Sequence, residues 1–160
     1  MQAEPQREHR WLQKLVGDWS YEHECEAEPD KPREKFTGTE RVRLLGGLWV
    51  LCEGTGQMPG GGAAQTLMTL GYDTEKKRFV GTWVGSMMAN LWVYDGELDA
   101  SGRILTLNSE GPDWNNPGKT ARYQDIIEIV SDDHRVLRSQ TPTPDGKWQQ
   151  FLEAHYRRTK

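Results

Sequence analysis

Apolar and polar residues alternate along most of the chain, with the two-residue period of a half-buried β-strand. In the first clear run, Trp19, Tyr21 and His23 occupy one face while glutamates fill the other. Turn-forming residues separate the runs, as at Pro144-Asp145-Gly146. The pattern predicts about ten strands. They span residues 18–26, 35–44, 48–54, 66–72, 78–84, 91–98, 104–109, 121–130, 134–141 and 147–158.

One segment departs from this alternation. Trp11, Leu12, Leu15 and Val16 share a helical stripe, and Gly17 follows as a stop signal. We therefore expect a single domain over residues 1–160, with an N-terminal segment and helix at 1–16 and strands at 17–158. Short connections between consecutive strands favour antiparallel pairing. The predicted fold class is all-β: an up-and-down barrel of about ten strands, closed at one end by the helix.

Composition narrows the function classes. The 160 residues carry a net charge of −4, which argues against nucleic-acid binding because phosphate contacts need a basic surface. The mean hydropathy is −0.82, and no apolar run is long enough for a membrane-spanning helix. The N-terminus lacks the apolar core of a signal peptide, so we predict a cytoplasmic location with reduced thiols. The seven tryptophans are the unusual feature, since each supplies a large area for burial.

Two local motifs fail on inspection. Gly118-Lys119-Thr120 ends like a phosphate-binding loop, but Asp113 stands where that motif requires its first glycine. His23 and Cys25 are two residues apart, yet no further pair supplies the ligands of a zinc site. The sequence therefore predicts neither a metal nor a cofactor.

Residues 15–19, Leu-Val-Gly-Asp-Trp, resemble the opening of lipocalin-type (calycin) barrels. That resemblance implies that Trp19, after Gly17, lies inside the closed end and that a basic residue of the last strand packs across it: Arg158 or, as the alternative, Arg157. The rest of the chain is similar to the bacterial domain of unknown function 1579 family. The similarity implies a lipocalin-like barrel and assigns no function. The segments that carry it include Gly38-Thr39-Glu40, Leu45-Gly46-Gly47, Leu70-Gly71-Tyr72-Asp73, Thr82-Trp83, Pro144-Asp145-Gly146, and Glu153 with Tyr156 and Arg158.

Polar residues on the inner faces are the candidate site, because a buried polar group needs a partner or a ligand. His23 and Glu40 fall on inner faces of neighbouring strands, where they could approach each other as an acid–base pair. The alternative is an internal pair that only fixes strand register. The other predicted ligand-binding residues are Trp49, Trp83, Met87, Asp125, Gln150 and Tyr156.

Three hypotheses follow. The barrel binds a small, partly apolar molecule; or it is an enzyme that uses His23 and Glu40 for proton transfer; or it is a filled barrel that self-associates through an apolar outer face at Trp92 and Tyr94. The partners left open are a small apolar ligand and a second copy of the chain in a homodimer. Cavity volume separates the first two hypotheses from the third, since ligand pockets exceed roughly 300 Å³.

Overall fold

The computed structural model describes residues 3–25, 34–58 and 60–160. Ten strands close into an antiparallel barrel in which each strand pairs with its neighbours in sequence and β1 pairs with β10. This confirms the predicted fold class. The strands are β1 Gly17–Cys25, β2 Glu34–Leu45, β3 Trp49–Gln57, β4 Ala63–Asp73, β5 Arg78–Gly85, β6 Trp92–Leu98, β7 Ile104–Pro112, β8 Thr120–Ser131, β9 His134–Pro142 and β10 Trp148–Arg158.

The helix α1, Arg7–Gln13, begins and ends earlier than the apolar stripe suggested. His9 explains its start: its Nδ1 accepts a hydrogen bond from the Gln6 backbone N–H at 2.8 Å, which caps the first turn. The other ring nitrogen then carries the proton and lies 3.1 Å from the Tyr72 carbonyl. The Trp11 indole N–H donates to the Gly102 carbonyl at 2.7 Å, which fixes the helix across one end of the barrel.

The half of the barrel next to the helix is packed with aliphatic and aromatic side chains. Leu70, Phe79, Leu105 and Leu107 are each at most 2% exposed, and Trp11 stacks edge-on against Phe79. Burial of each such side chain contributes roughly 1.5–3 kcal/mol to the stability of the fold.

The closed end contains the contact that the lipocalin-type resemblance implies. The Arg158 guanidinium carbon lies 4.3 Å from the centre of the Trp19 ring, and Arg158 also donates to the Lys14, Val16 and Asp132 carbonyls. Gly17 adopts φ +137°, and a Cβ at that position would overlap the guanidinium. A glycine is therefore needed for Arg158 to reach the chain that enters β1.

In the described ranges, no helix is both long and apolar enough to cross a membrane.

Candidate functional site

The seam of the closed barrel is the ladder between its first and last strands, β1 and β10. Along the described residues, the β1–β10 ladder runs from Trp19 and Arg158 to His23 and Ala154. Beyond that point β10 continues to pair with β9 as far as Trp148. A cavity of about 730 Å³ lies at this seam, at the end of the barrel opposite the helix. Its volume is within the range of small-molecule sites.

Both faces of the sheet contribute to the cavity wall. His23, Gln149 and Leu152 reach it from the inner faces of their strands, and the Phe151 ring adds a second apolar surface. The remaining wall is polar and comes from the outer faces: Glu22, Glu24, Lys35, Gln150, Glu153 and His155. The cavity is therefore an apolar patch inside a charged rim, more polar than the sequence suggested.

His23 is half-buried among aromatic rings. Its imidazole stacks on Phe36 with ring centres 5.4 Å apart, and it lies parallel to Tyr21 at 6.3 Å. Burial lowers the pKa of His23 from its ordinary value, so the ring is neutral at pH 7. A neutral imidazole has one donor nitrogen and one acceptor nitrogen.

The predicted pair of His23 and Glu40 does not form, which corrects the sequence interpretation. Both side chains have the inner parity expected, but the register places Phe36 opposite His23 and Glu40 opposite Trp19. Glu40 accepts a hydrogen bond from the Arg135 guanidinium, in an ion pair whose side chains are 12% and 5% exposed. An acid–base pair of His23 and Glu40 therefore has no support in the geometry.

Arg135 is the residue that sequence reasoning missed. Its guanidinium carbon lies 4.0 Å from the centre of the Tyr156 ring and 4.7 Å from that of Trp19. Tyr156 is thus buried on the inner face as predicted by parity, but it contacts Arg135 rather than the cavity. Val136 and Leu137 are both apolar, so alternation alone did not indicate which face of β9 carries Arg135.

Asp125 is the centre of a second polar group inside the barrel. Its Oδ1 accepts a hydrogen bond from the Ser139 hydroxyl at 2.6 Å, and its Oδ2 accepts one from the Tyr94 hydroxyl. Burial raises the pKa of the Asp125 carboxyl, and the two hydrogen bonds oppose that rise. Asp125 therefore lies on the inner face, as its parity predicted.

Two predicted cavity residues lie on the outer face instead. Trp49 is 39% exposed because Val50 and Cys52 are the inward positions of β3, and its ring covers Gly71 from outside. Gln150 shares sequence parity with Leu152, but a β-bulge between them adds one residue and turns Gln150 outward. Gln150 still borders the cavity, from the outer side.

The remaining predicted ligand-binding residues lie elsewhere in the half of the barrel that is opposite the helix. Trp83 is half-buried on the inner face of β5, and Met87 follows that strand in a turn with 38% of its surface exposed. Neither borders the cavity at the seam. Trp92 and Tyr94 correct a further prediction, because both point inward and are buried. The exposed apolar residues of β6 and its approach are Leu91 and Val93, at 58% and 59%.

Comparisons with known proteins agree with this architecture. The model of a family described as "Protein of unknown function (DUF1579)" matches residues 4–158. No curated protein matches the sequence. The crystal structure of Rv2717c from M. tuberculosis aligns with a TM-score of 0.64 at 11% identity, covering 98% of this chain and 100% of that chain. The S-type phycobiliprotein lyase CPES from Guillardia theta aligns with a TM-score of 0.58 at 13% identity, covering 98% and 99%. At these identities the likeness shows a shared lipocalin-like barrel fold.

Proposed function

The chain belongs to the domain of unknown function 1579 family, and from that premise we propose that its barrel binds a small, partly apolar molecule at the open end. The observation that carries the proposal is the cavity of about 730 Å³ at the β1–β10 seam. Typical small-molecule sites occupy about 300–1,000 Å³.

The two halves of the barrel differ in a way that supports this role. Side chains next to the helix fill the interior, with Leu70 and Leu105 fully buried. At the other end, inward positions such as His23, Trp83 and Leu152 keep accessible surface. A barrel that served only as a packed scaffold would bury these apolar and aromatic groups as well, since burial stabilises the fold.

The chemistry of the wall matches a ligand with a mixed surface. Phe151 and Leu152 offer apolar contact, while the side-chain amides of Gln149 and Gln150 offer hydrogen bonds that orient a bound molecule. The name of the structurally similar lyase states that it acts on phycobiliproteins, and that activity is not carried over to this chain because the likeness concerns the fold.

We also retain the prediction of a homodimer, but we assign its contact to a different surface. Trp92 and Tyr94 point inward and cannot form the contact, whereas Leu91 and Val93 lie exposed on the outer face. This surface favours a homodimer contact through Leu91 and Val93 over one through Trp92 and Tyr94.

A fluorescence titration with the neutral apolar probe N-phenyl-1-naphthylamine tests ligand binding. The variant Leu152→Trp replaces a leucine side chain at the cavity wall by the larger indole ring. The control Leu45→Trp makes the same substitution on β2, at a residue that is 54% exposed. We expect Leu152→Trp to weaken probe binding by about tenfold or more, which is about 1.4 kcal/mol, and Leu45→Trp to leave it unchanged. Equal affinity in all three proteins, or absence of binding to the unmodified chain, would overturn the proposal.

A further inference from the structure

The polar group around Asp125 indicates what kind of ligand the barrel takes, an inference that rests on the proposed function. Asp125 lies on the inner face of β8 between Tyr123 and Ile127, which are 6% and 2% exposed. Asp125 itself keeps accessible surface. Because its strand neighbours are closed off from solvent, that surface faces the inside of the barrel.

Among the residues that the structure describes, no cationic side chain is paired with this carboxylate. Glu40 is neutralised by Arg135 in the buried ion pair. In the described part of the chain, the side chains that hydrogen-bond to Asp125 are the hydroxyls of Tyr94 and Ser139, which carry no charge. A buried carboxylate that has only neutral donors is costly, and a cation beside it would lower that cost.

Asp125 lies two strands away from Leu152, which borders the seam cavity, and does not itself border that cavity. The register pairs Asp125 with Ser139, and Ser139 with the cavity residue Leu152. Adjacent strands are about 4.8 Å apart, so Asp125 lies about 10 Å from the cavity wall across two strand spacings. A ligand with a ring in the cavity and a short chain that ends in a polar group spans this length.

An aromatic contact links the cavity wall to the strand that carries Asp125. The Phe151 ring at the cavity contacts the Tyr123 ring edge-on, with centres 6.2 Å apart. Tyr123 precedes Asp125 by two residues and shares its face of β8. An aromatic or aliphatic ligand body would therefore pack against rings while its end group approaches the carboxylate.

We propose that the ligand carries a protonated amine on an aromatic or aliphatic body, and that Asp125, held in place by Tyr94 and Ser139, is the counter-ion of that amine. Burial raises the pKa of Asp125, which is the response expected of a carboxylate that lacks its cation.

Isothermal titration calorimetry with three probes of one shape tests the proposal: 2-phenylethylamine, 2-phenylethanol and 3-phenylpropionate. A charge-assisted hydrogen bond is stronger than a neutral one, so we expect the amine to bind about tenfold more tightly than the alcohol. We expect the carboxylate probe to bind most weakly. In Asp125→Asn the preference for the amine disappears, while the alcohol keeps its affinity. The matched control Asp145→Asn, on an exposed turn, keeps the preference.

The acidic rim is the competing explanation, since Glu22, Glu24 and Glu153 border the cavity. Attraction by these exposed groups is screened by salt, whereas a buried ion pair is screened much less. Persistence of the amine preference in the unmodified chain at 0.5 M NaCl is therefore expected, and this measurement does not depend on the folding of any variant. Loss of the preference in salt, its survival in Asp125→Asn, or tighter binding of the carboxylate probe would overturn the assignment.

The two proposals fail in different ways. If the apolar probe binds at Leu152 but the amine shows no preference, the counter-ion role of Asp125 falls and ligand binding stands. If neither the apolar probe nor any of the three matched compounds binds, the proposed function falls with it.

Discussion

The buried ion pair of Glu40 and Arg135 offers a direct quantitative test of how the barrel interior is held together. Arg135→Met removes the guanidinium and keeps an unbranched apolar chain, so Glu40 is left as a buried carboxylate without its cation. The change also removes the cation that lies over the rings of Trp19 and Tyr156.

The expected cost follows from the burial of both groups. Their side chains are only 5% and 12% exposed, so the pair has the environment in which loss of one partner costs about 3–5 kcal/mol. For a chain of this length each kcal/mol lowers Tm by about 2–4 °C. We therefore expect Tm to fall by about 6–20 °C, on the basis of these two values.

Urea unfolding, followed by tryptophan fluorescence, measures the change in free energy of unfolding. A double-mutant cycle with Glu40→Gln isolates the pair, and we expect the double variant to be more stable than the sum of the single changes by about 2 kcal/mol or more. Arg43→Met is the matched control, because Arg43 pairs with Glu53 at 3.0 Å with both side chains about half exposed. It should cost less than about 1 kcal/mol. A cost for Arg135→Met as small as that of the control, or strict additivity in the cycle, would refute the reasoning.

Three further predictions concern single positions. Gly17→Ala should displace the Arg158 guanidinium and force a side chain into φ +137°, so we expect a loss of about 2–3 kcal/mol in thermal or urea unfolding. Gly81→Ala should cost at least as much, about 2–3 kcal/mol by denaturation, because its Cβ would overlap the Thr69 carbonyl, which is backbone and cannot rotate away. Burial raises the pKa of Asp125 in the folded state, so the folded protein holds a proton that the unfolded chain releases. The stability of the unmodified chain relative to Asp125→Asn should therefore rise as pH falls through that raised pKa, measured by Tm against pH.

Opposite results would count against each argument. Unchanged stability in Gly17→Ala would mean that Arg158 does not depend on the open space at Gly17. A stability difference between the unmodified chain and Asp125→Asn that is flat with pH, or that grows towards neutral pH, would mean that burial does not disfavour the carboxylate. Neutral behaviour of Gly81→Ala would place β4 and β5 farther apart than the structure does.

The barrel was predictable because its strands bury one face and are separated by residues that favour turns. Alternation alone assigned His23, Glu40 and Asp125 to inner faces correctly. It failed where the local period breaks: the bulge before Leu152 reverses the face of Gln150. On β6 the prediction placed Trp92 and Tyr94 on the outer face and was wrong, because the run is apolar on both faces and hydropathy alone does not distinguish them.

The site was less predictable than the fold, because alternation gives the face of a residue but not its contacts. Parity states which face a residue occupies, but a contact depends on register along the strand. His23 and Glu40 share a face of one hairpin and still pair with different residues, Phe36 and Trp19. The partner of Glu40 is Arg135, which is 95 residues away in sequence, and no local pattern connects the two. The seam between β1 and β10 likewise joins the two ends of the chain and has no local signal.

Native mass spectrometry of the protein purified from its own cells, beside Leu152→Trp purified in the same way, tests the central claim most directly. The account predicts an additional small-molecule mass on the unmodified chain, and loss of that mass when the larger ring occupies the cavity wall. The same spectra report the number of subunits. An unmodified chain without any bound mass, or an equal bound mass on both proteins, would contradict ligand binding in the seam cavity.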